Sequence, residues 1–150
     1  MKRILLLILP ALISVSVYAA NTRTVIFEFA VDGCPQNIGK ETATYLASAI
    51  AYLDGFEVVD PNIVQKLCDN EKVESYDVDI PMAVKIGRST HTNSANLATL
   101  GKVEKDGSTY KVTVTYVDLR TGEVMATKSA SGSGIYSLSR SVDKIVGLLE

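Results

Sequence analysis

The first third of the chain places short apolar runs next to a segment with helical periodicity. Residues 24–31, TVIFEFAV, contain few polar residues, which predicts a strand that is buried on both faces. From about residue 36 to residue 53, apolar side chains recur every three or four positions, as they do along one face of a helix. Gly55 suits the end of that helix, and residues 56–60, FEVVD, predict a second short strand.

Two pairs of aspartate and proline predict where further helices begin. Asp60 can accept a hydrogen bond from the first free N–H groups of a helix, and Pro61 has no N–H to leave unpaired at the first position. Asp79 can cap a helix over residues 80–88, where Pro81 is tolerated because it lies in the first turn. The sequence therefore predicts two helices between the second strand and the second half of the chain.

The second half of the chain changes to the two-residue alternation of strands. Residues 95–104, 109–119 and 123–131 are three successive strand candidates, joined by Asp106-Gly107 and by a turn at Gly122. In the middle strand, residues with even numbers from 110 to 116 are apolar and share one face. The opposite face is the candidate interaction face, and it comprises Lys111, Thr113, Thr115 and Val117. Apolar residues from Leu138 to Leu149 then predict a closing helix.

This order of elements predicts an α+β fold with two layers. We expect a mixed sheet of about five strands, with an antiparallel C-terminal meander and with helices packed mainly on one face. Residues 21–150 are expected to form this single domain.

Residues 1–20 have the pattern of a secretory signal peptide. Lys2-Arg3 precedes a largely apolar stretch, and Ala19 and Ala20 offer small residues for cleavage. The alternative is a membrane anchor, but the apolar stretch is shorter than the roughly 20 residues of a spanning helix. No cysteine lies at the cleavage point, so we expect an exported protein that is not a lipoprotein.

The net charge and the two cysteines bear on which partners the chain can bind and on whether it forms a disulfide. Without Lys2 and Arg3, the chain has 13 basic and 17 acidic residues, which gives no electrostatic basis for binding nucleic acid. Cys34 and Cys68 are the two cysteines, and in an oxidising compartment they predict one structural disulfide. The alternative is two free thiols.

The chain offers little catalytic chemistry. His91 is the sole histidine, which excludes metal sites built on a pair of histidines and weakens any Ser-His arrangement. Residues 131–134, SGSG, lack the lysine of a phosphate-binding loop and predict a flexible link between strand and helix. Asp77 and Asp79 lack the further ligands of a calcium loop. Glu28 is unusual in an apolar strand, where it indicates a strand edge or a lysine partner. We expect no enzyme activity, no cofactor and no metal.

Three segments together resemble a known group of proteins. They are residues 25–33, VIFEFAVDG, residues 56–67, FEVVDPNIVQKL, and residues 101–132, which contain the hairpin motif DLRTGEV. In order and spacing they resemble the TolB N-terminal-like superfamily, which includes the curli-secretion-channel family and the penicillin-binding-protein activator lipoproteins. The chain departs from the group pattern because NSANLAT replaces a Gly-Ala-Asp step, and because it lacks the lipid-bearing cysteine and the membrane hairpins of the curli channel.

This resemblance implies a non-enzymatic, periplasmic protein-interaction module of a Gram-negative bacterium. Such a module would be an accessory subunit of an envelope assembly, secretion or cell-wall machine, and its partner would be an envelope or outer-membrane-associated protein. Two alternatives remain open. One is a structural envelope domain that self-associates as a homo-oligomer, and the other is a ligand-binding protein or enzyme with a hidden site.

Overall fold

The computed structural model describes residues 22–89 and 95–147. The predicted signal peptide and His91 lie outside the described residues. No described helix has the length and apolar character needed to cross a membrane. The strands are β1 (Thr22–Ile26), β2 (Ala30–Asp32), β3 (Phe56–Val58), β4 (Leu97–Asp106), β5 (Thr109–Asp118) and β6 (Val124–Ser133). The helices are α1 (Gln36–Ala51), α2 (Pro61–Glu71), α3 (Ile80–Arg88) and α4 (Ser137–Gly147), with a short 3-10 turn at Ser75–Asp77.

The strands form one mixed sheet in the order β3-β1-β4-β5-β6, and β2 also pairs with β4. β1 runs parallel to both β3 and β4, while β4, β5 and β6 form an antiparallel meander. The predicted α+β class and the mixed sheet with its C-terminal meander are confirmed. Among the described strands, β6 forms one edge of this sheet, and β3 and the short β2 form the other.

One extra residue separates β1 from β2 along their shared neighbour β4. Ile26 pairs with Thr99, whereas Ala30 pairs with Lys102, so four steps along one side match three along the other. This offset is a β-bulge, and it reverses the alternation of side chains. Phe27 and Phe29 are therefore buried on opposite faces of the sheet, although only Glu28 lies between them in sequence.

The larger core lies on one face of the sheet, where α1 and α4 cover the inner side of β4 and β5. Phe29 from the bulge packs into this core, together with the apolar face of β5. A smaller second cluster packs on the opposite face, where α2 and α3 cover β1 and the near end of the meander. It contains Phe27 and Cys68. α1 and α4 thus build the main core, and α2 and α3 cover only part of the other face.

Phe29 fixes α1 and β4 around the bulge. Its ring lies directly on the backbone of Gly101 in β4, where a Cβ would overlap three ring atoms. Its carbonyl accepts a hydrogen bond of 2.8 Å from the Gln36 side chain at the start of α1. Gly39, one turn further along α1, packs against the same carbonyl with no room for a side chain. Both glycines permit an approach that any larger residue would prevent.

The helix starts follow the predicted caps. The Asp60 carboxylate accepts the Asn62 N–H at 2.8 Å, and the Asp79 carboxylate accepts the Met82 N–H at 2.9 Å. Pro61 lies at the first position of α2, and α3 spans the predicted residues 80–88. Local capping chemistry therefore determines both starts.

We predict that Gly101→Ala destabilises the protein by about 2 kcal/mol, because the new methyl group must displace the buried Phe29 ring. Urea unfolding followed by circular dichroism measures this change. Gly147→Ala is the control, since among the described residues no atom outside its own helix lies within 4 Å of the added Cβ. A Gly101→Ala variant within 0.5 kcal/mol of the wild type would contradict the packing described for Phe29.

Tyr116 provides a second test of the main core. Its side chain is 2% exposed, and burial raises its pKa from 10.0 to about 12. Between pH 10 and pH 12 the unfolded chain therefore releases this proton while the folded chain keeps it, so stability falls as the pH rises. We predict that Tyr116→Phe removes about 2 kcal/mol of this loss between pH 9 and pH 11.5. The exposed Tyr136→Phe is the control, and an equal pH dependence in both variants would exclude this role for burial.

Candidate interaction surface

The outer face of the meander remains open beyond the second cluster. Lys111 on β5 is exposed, and Thr113 and Thr115 are half-buried on the same face. Val117, the fourth residue of the predicted interaction face, is 0% exposed because it belongs to the second cluster. The predicted face therefore continues as an open surface only as far as Thr115, and Val117 is part of a core.

β6 extends this surface with small hydroxyl side chains. Thr127, Ser129 and Ser131 are exposed and lie opposite Thr115, Thr113 and Lys111 respectively. The hydroxyls of Thr113 and Ser129 form a hydrogen bond of 3.1 Å. On β4, Lys102 and Glu104 form an ion pair of 3.3 Å. We call these residues of β4, β5 and β6 the open face; they are Lys102, Glu104, Lys111, Thr113, Thr115, Thr127, Ser129 and Ser131.

The free edge of β6 is defined by its hydrogen bonds to β5. At the ends of this pair, the Gly134 N–H donates to the Ser108 carbonyl at 2.8 Å, and the Asp118 N–H donates to the Glu123 carbonyl at 2.9 Å. Hydrogen-bonded and non-hydrogen-bonded pairs alternate along an antiparallel ladder. The register then places Thr127, Ser129 and Ser131 in non-hydrogen-bonded pairs. Their main-chain N–H and C=O groups consequently point away from β5, toward the free edge.

Exposed apolar side chains lie at both ends of this edge. Val124 and Met125 at the start of β6 are 46% and 48% exposed. Ile135 and Tyr136, directly after its end, are 44% and 83% exposed. Eight residues of β6, from Ala126 to Ser133, separate the two pairs, which corresponds to about 26 Å of strand. The edge therefore combines a continuous main-chain surface with an apolar anchor at each end.

The DLRTGEV motif stabilises the hairpin and its contact with α3. The nearly buried Asp118 carboxylate accepts the Arg120 N–H at 2.8 Å, and Gly122 has a positive φ of 77° that suits the turn. Leu119 packs against Gly87 of α3. The Arg88 guanidinium donates to the Leu119 carbonyl at 2.7 Å. This motif therefore has a structural role, and it closes the covered end of the meander.

The predicted disulfide is wrong, since both cysteines are free thiols. Cys34 packs against the main core, whereas Cys68 lies in the second cluster on the opposite face of the sheet. Burial raises the pKa of each thiol above its usual value, which disfavours the reactive thiolate. The sheet thus separates two thiols that both favour the protonated form.

The remaining candidates for chemistry have structural positions. In the part of the chain that the structure describes, no group of three or more His, Cys, Asp or Glu residues could hold a metal ion. Asp79 caps α3, and Ser131 to Ser133 continue β6 where a flexible link was expected. Glu28 lies at the β-bulge, where its N–H donates to the Ser75 hydroxyl at 3.0 Å.

Comparisons with known proteins support the fold independently. No family model matches the chain, and no curated protein matches it by sequence. The C-terminal domain of LpoB from Escherichia coli is similar in structure, with a TM-score of 0.61 at 13% identity over 77% of this chain and 84% of that domain. The PelC dodecamer from Paraburkholderia phytofirmans has a TM-score of 0.54 at 12% identity, over 87% of this chain and 88% of PelC. TolB from Acinetobacter baumannii has a TM-score of 0.54 at 8% identity, over 85% of this chain and 27% of TolB.

These likenesses confirm the fold that the predicted resemblance implies. Because the identities lie between 8% and 13%, they establish the fold alone.

Proposed function

We propose that the chain is a non-enzymatic periplasmic interaction module, an accessory subunit of a bacterial envelope assembly, secretion or cell-wall machine. It binds an envelope or outer-membrane-associated protein by pairing an extended strand of that partner with the edge of β6. The observation that carries this proposal is the long exposed edge, where Thr127, Ser129 and Ser131 direct main-chain groups outward.

The physical argument rests on how sheets treat their edges. An unpaired edge strand presents a row of N–H and C=O groups that another chain can satisfy, and proteins commonly protect it with lysine, proline or a bulge. β6 has one such lysine, Lys128, and one register shift near its start at Met125. Eight residues from Ala126 to Ser133 then continue as regular strand, with small side chains at every position except Lys128. Small side chains allow close approach, and Met125 and Tyr136 provide apolar contacts at the ends.

Self-association is a second candidate function, because PelC, which has a similar fold, forms a dodecamer. An edge strand that accepts a partner strand can also accept a second copy of this chain. Light scattering of the purified protein separates the two cases, since an accessory module without its partner stays monomeric and a self-associating domain does not.

We predict that Ser129→Pro abolishes partner binding while the fold is retained. Proline removes the N–H of Ser129, which points toward the free edge, and edge strands tolerate proline at such positions. In crosslinked envelopes, the tagged Ser129→Pro protein should recover its partner at least tenfold less than the wild type. Quantitative mass spectrometry of the purified complexes measures this recovery.

Ser129→Thr is the matched control, since it keeps both the N–H and a hydroxyl, and it should recover the partner at the level of the wild type. Thermal unfolding confirms that each variant is folded. Undiminished recovery by Ser129→Pro would contradict binding through this edge, and recovery of no envelope protein by the wild type would contradict the proposed function.

A further inference from the structure

A groove with a volume of about 570 Å³ lies between α1 and α2, at the carboxyl ends of β1 and β3. We call it the α1–α2 groove. α1 forms one wall from Lys40 to Ala51, and the start of α2 forms the other. Eleven steps along a helix extend about 16 Å, which is the length of about five residues of extended chain. The groove borders β3, at the edge of the sheet opposite to β6.

At the floor of the groove, β1 continues beyond its last residue pair with β3. The paired stretch of β1 and β3 ends where Thr24 meets Val58, and the Val59 N–H donates to the Thr24 carbonyl at 2.9 Å. On its other side β1 pairs with β4, and the Phe27 N–H donates to the Thr99 carbonyl at 3.1 Å. Main-chain groups alternate in direction along a strand. Ile26, two residues beyond Thr24, therefore directs its main chain along the line of β3 and into the groove.

Two charged side chains line the same groove. Glu28 is half-buried at the β-bulge, and Lys40 is exposed in the first half of α1. Neither forms an ion pair with another residue in the described ranges 22–89 and 95–147. Bulges often re-aim side chains at binding sites. The groove thus offers one carboxylate and one ammonium group to an incoming ligand.

The polar groups of the walls are distributed along the groove. Thr44 and Ser48 lie about one turn apart on α1, and Asn62 and Gln65 lie about one turn apart on α2. Apolar side chains, including Ala47, lie between them. A compact small molecule needs polar groups that converge on one point, whereas a polypeptide presents N–H and C=O groups at regular intervals. This distribution favours a peptide.

We propose that the α1–α2 groove binds an extended segment of about five residues from a partner protein. The segment continues the line of β3, and its main chain forms hydrogen bonds with Ile26. It carries one basic and one acidic side chain, which pair with Glu28 and Lys40 respectively. This site is independent of the β6 edge, so the two can be occupied by one partner or by two.

A random heptapeptide library displayed on phage, selected on the exported chain, tests this inference. Selected peptides should carry both charges, and their Kd should rise at least tenfold in Ala47→Phe, which fills the groove. They should also bind more weakly to Lys40→Glu, which changes an exposed residue and keeps the fold intact. Glu41→Phe is the matched control, because Glu41 is exposed on α1 outside the groove, and it should leave binding unchanged.

Amide chemical shifts locate the bound peptide. The proposal requires changes at Ile26 and Asn62 and none at Ser129. It is overturned if the library yields no peptide that depends on the groove, if Ala47→Phe and Lys40→Glu bind as tightly as the wild type, or if the shifts lie along β6. A groove that dimerises two copies of the chain, or binds only small-molecule fragments, would also overturn it.

Discussion

The extra residue between β1 and β2 is the constraint on which the remaining structure depends. It directs Phe27 into the second cluster and Phe29 into the main core. Without this reversal, the segment between β1 and β2 would supply aromatic side chains to one face only, and the helices on the other face would lose a buried partner. The same bulge positions Glu28 at the α1–α2 groove, so core packing and a candidate binding site share one cause.

The sequence predicts the helices and strands better than it predicts which side chains they bury. The starts of α2 and α3 follow from Asp60 and Asp79, because capping is a local interaction. The bulge is not detectable in TVIFEFAV, because a strand that is apolar on both faces has no alternation to interrupt. Likewise, Val117 lies on the same face of β5 as Thr115. Its burial follows only from the tertiary packing of the second cluster, which includes residues of α3. The disulfide was predicted only from the expected oxidising compartment and from the number of cysteines, whereas the two thiols lie on opposite faces of the sheet.

The candidate sites lie at the two edges of the sheet, and the recognisable motif reaches the edge of β6 only through its last residue, Val124. DLRTGEV joins the hairpin to α3 through Leu119 and Arg88. The residues that form this turn are therefore also the residues that carry the resemblance. Sequence patterns detect such motifs because a turn of this kind requires particular residue types at particular positions. Apart from Lys128, the regular part of β6 from Ala126 to Ser133 is composed of alanine, serine, threonine and glycine. The importance of these residues comes from main-chain direction, which side-chain patterns do not record.

Amide hydrogen exchange along β6, followed residue by residue by NMR, tests the free edge most directly. In the isolated protein, the outward N–H groups of Thr127, Ser129 and Ser131 should exchange at least tenfold faster than those of Lys128 and Ala130, which face β5. Addition of the partner should slow exchange at the outward set. Equal protection of both sets in the isolated monomer would contradict a free edge and, with it, the proposed mode of binding.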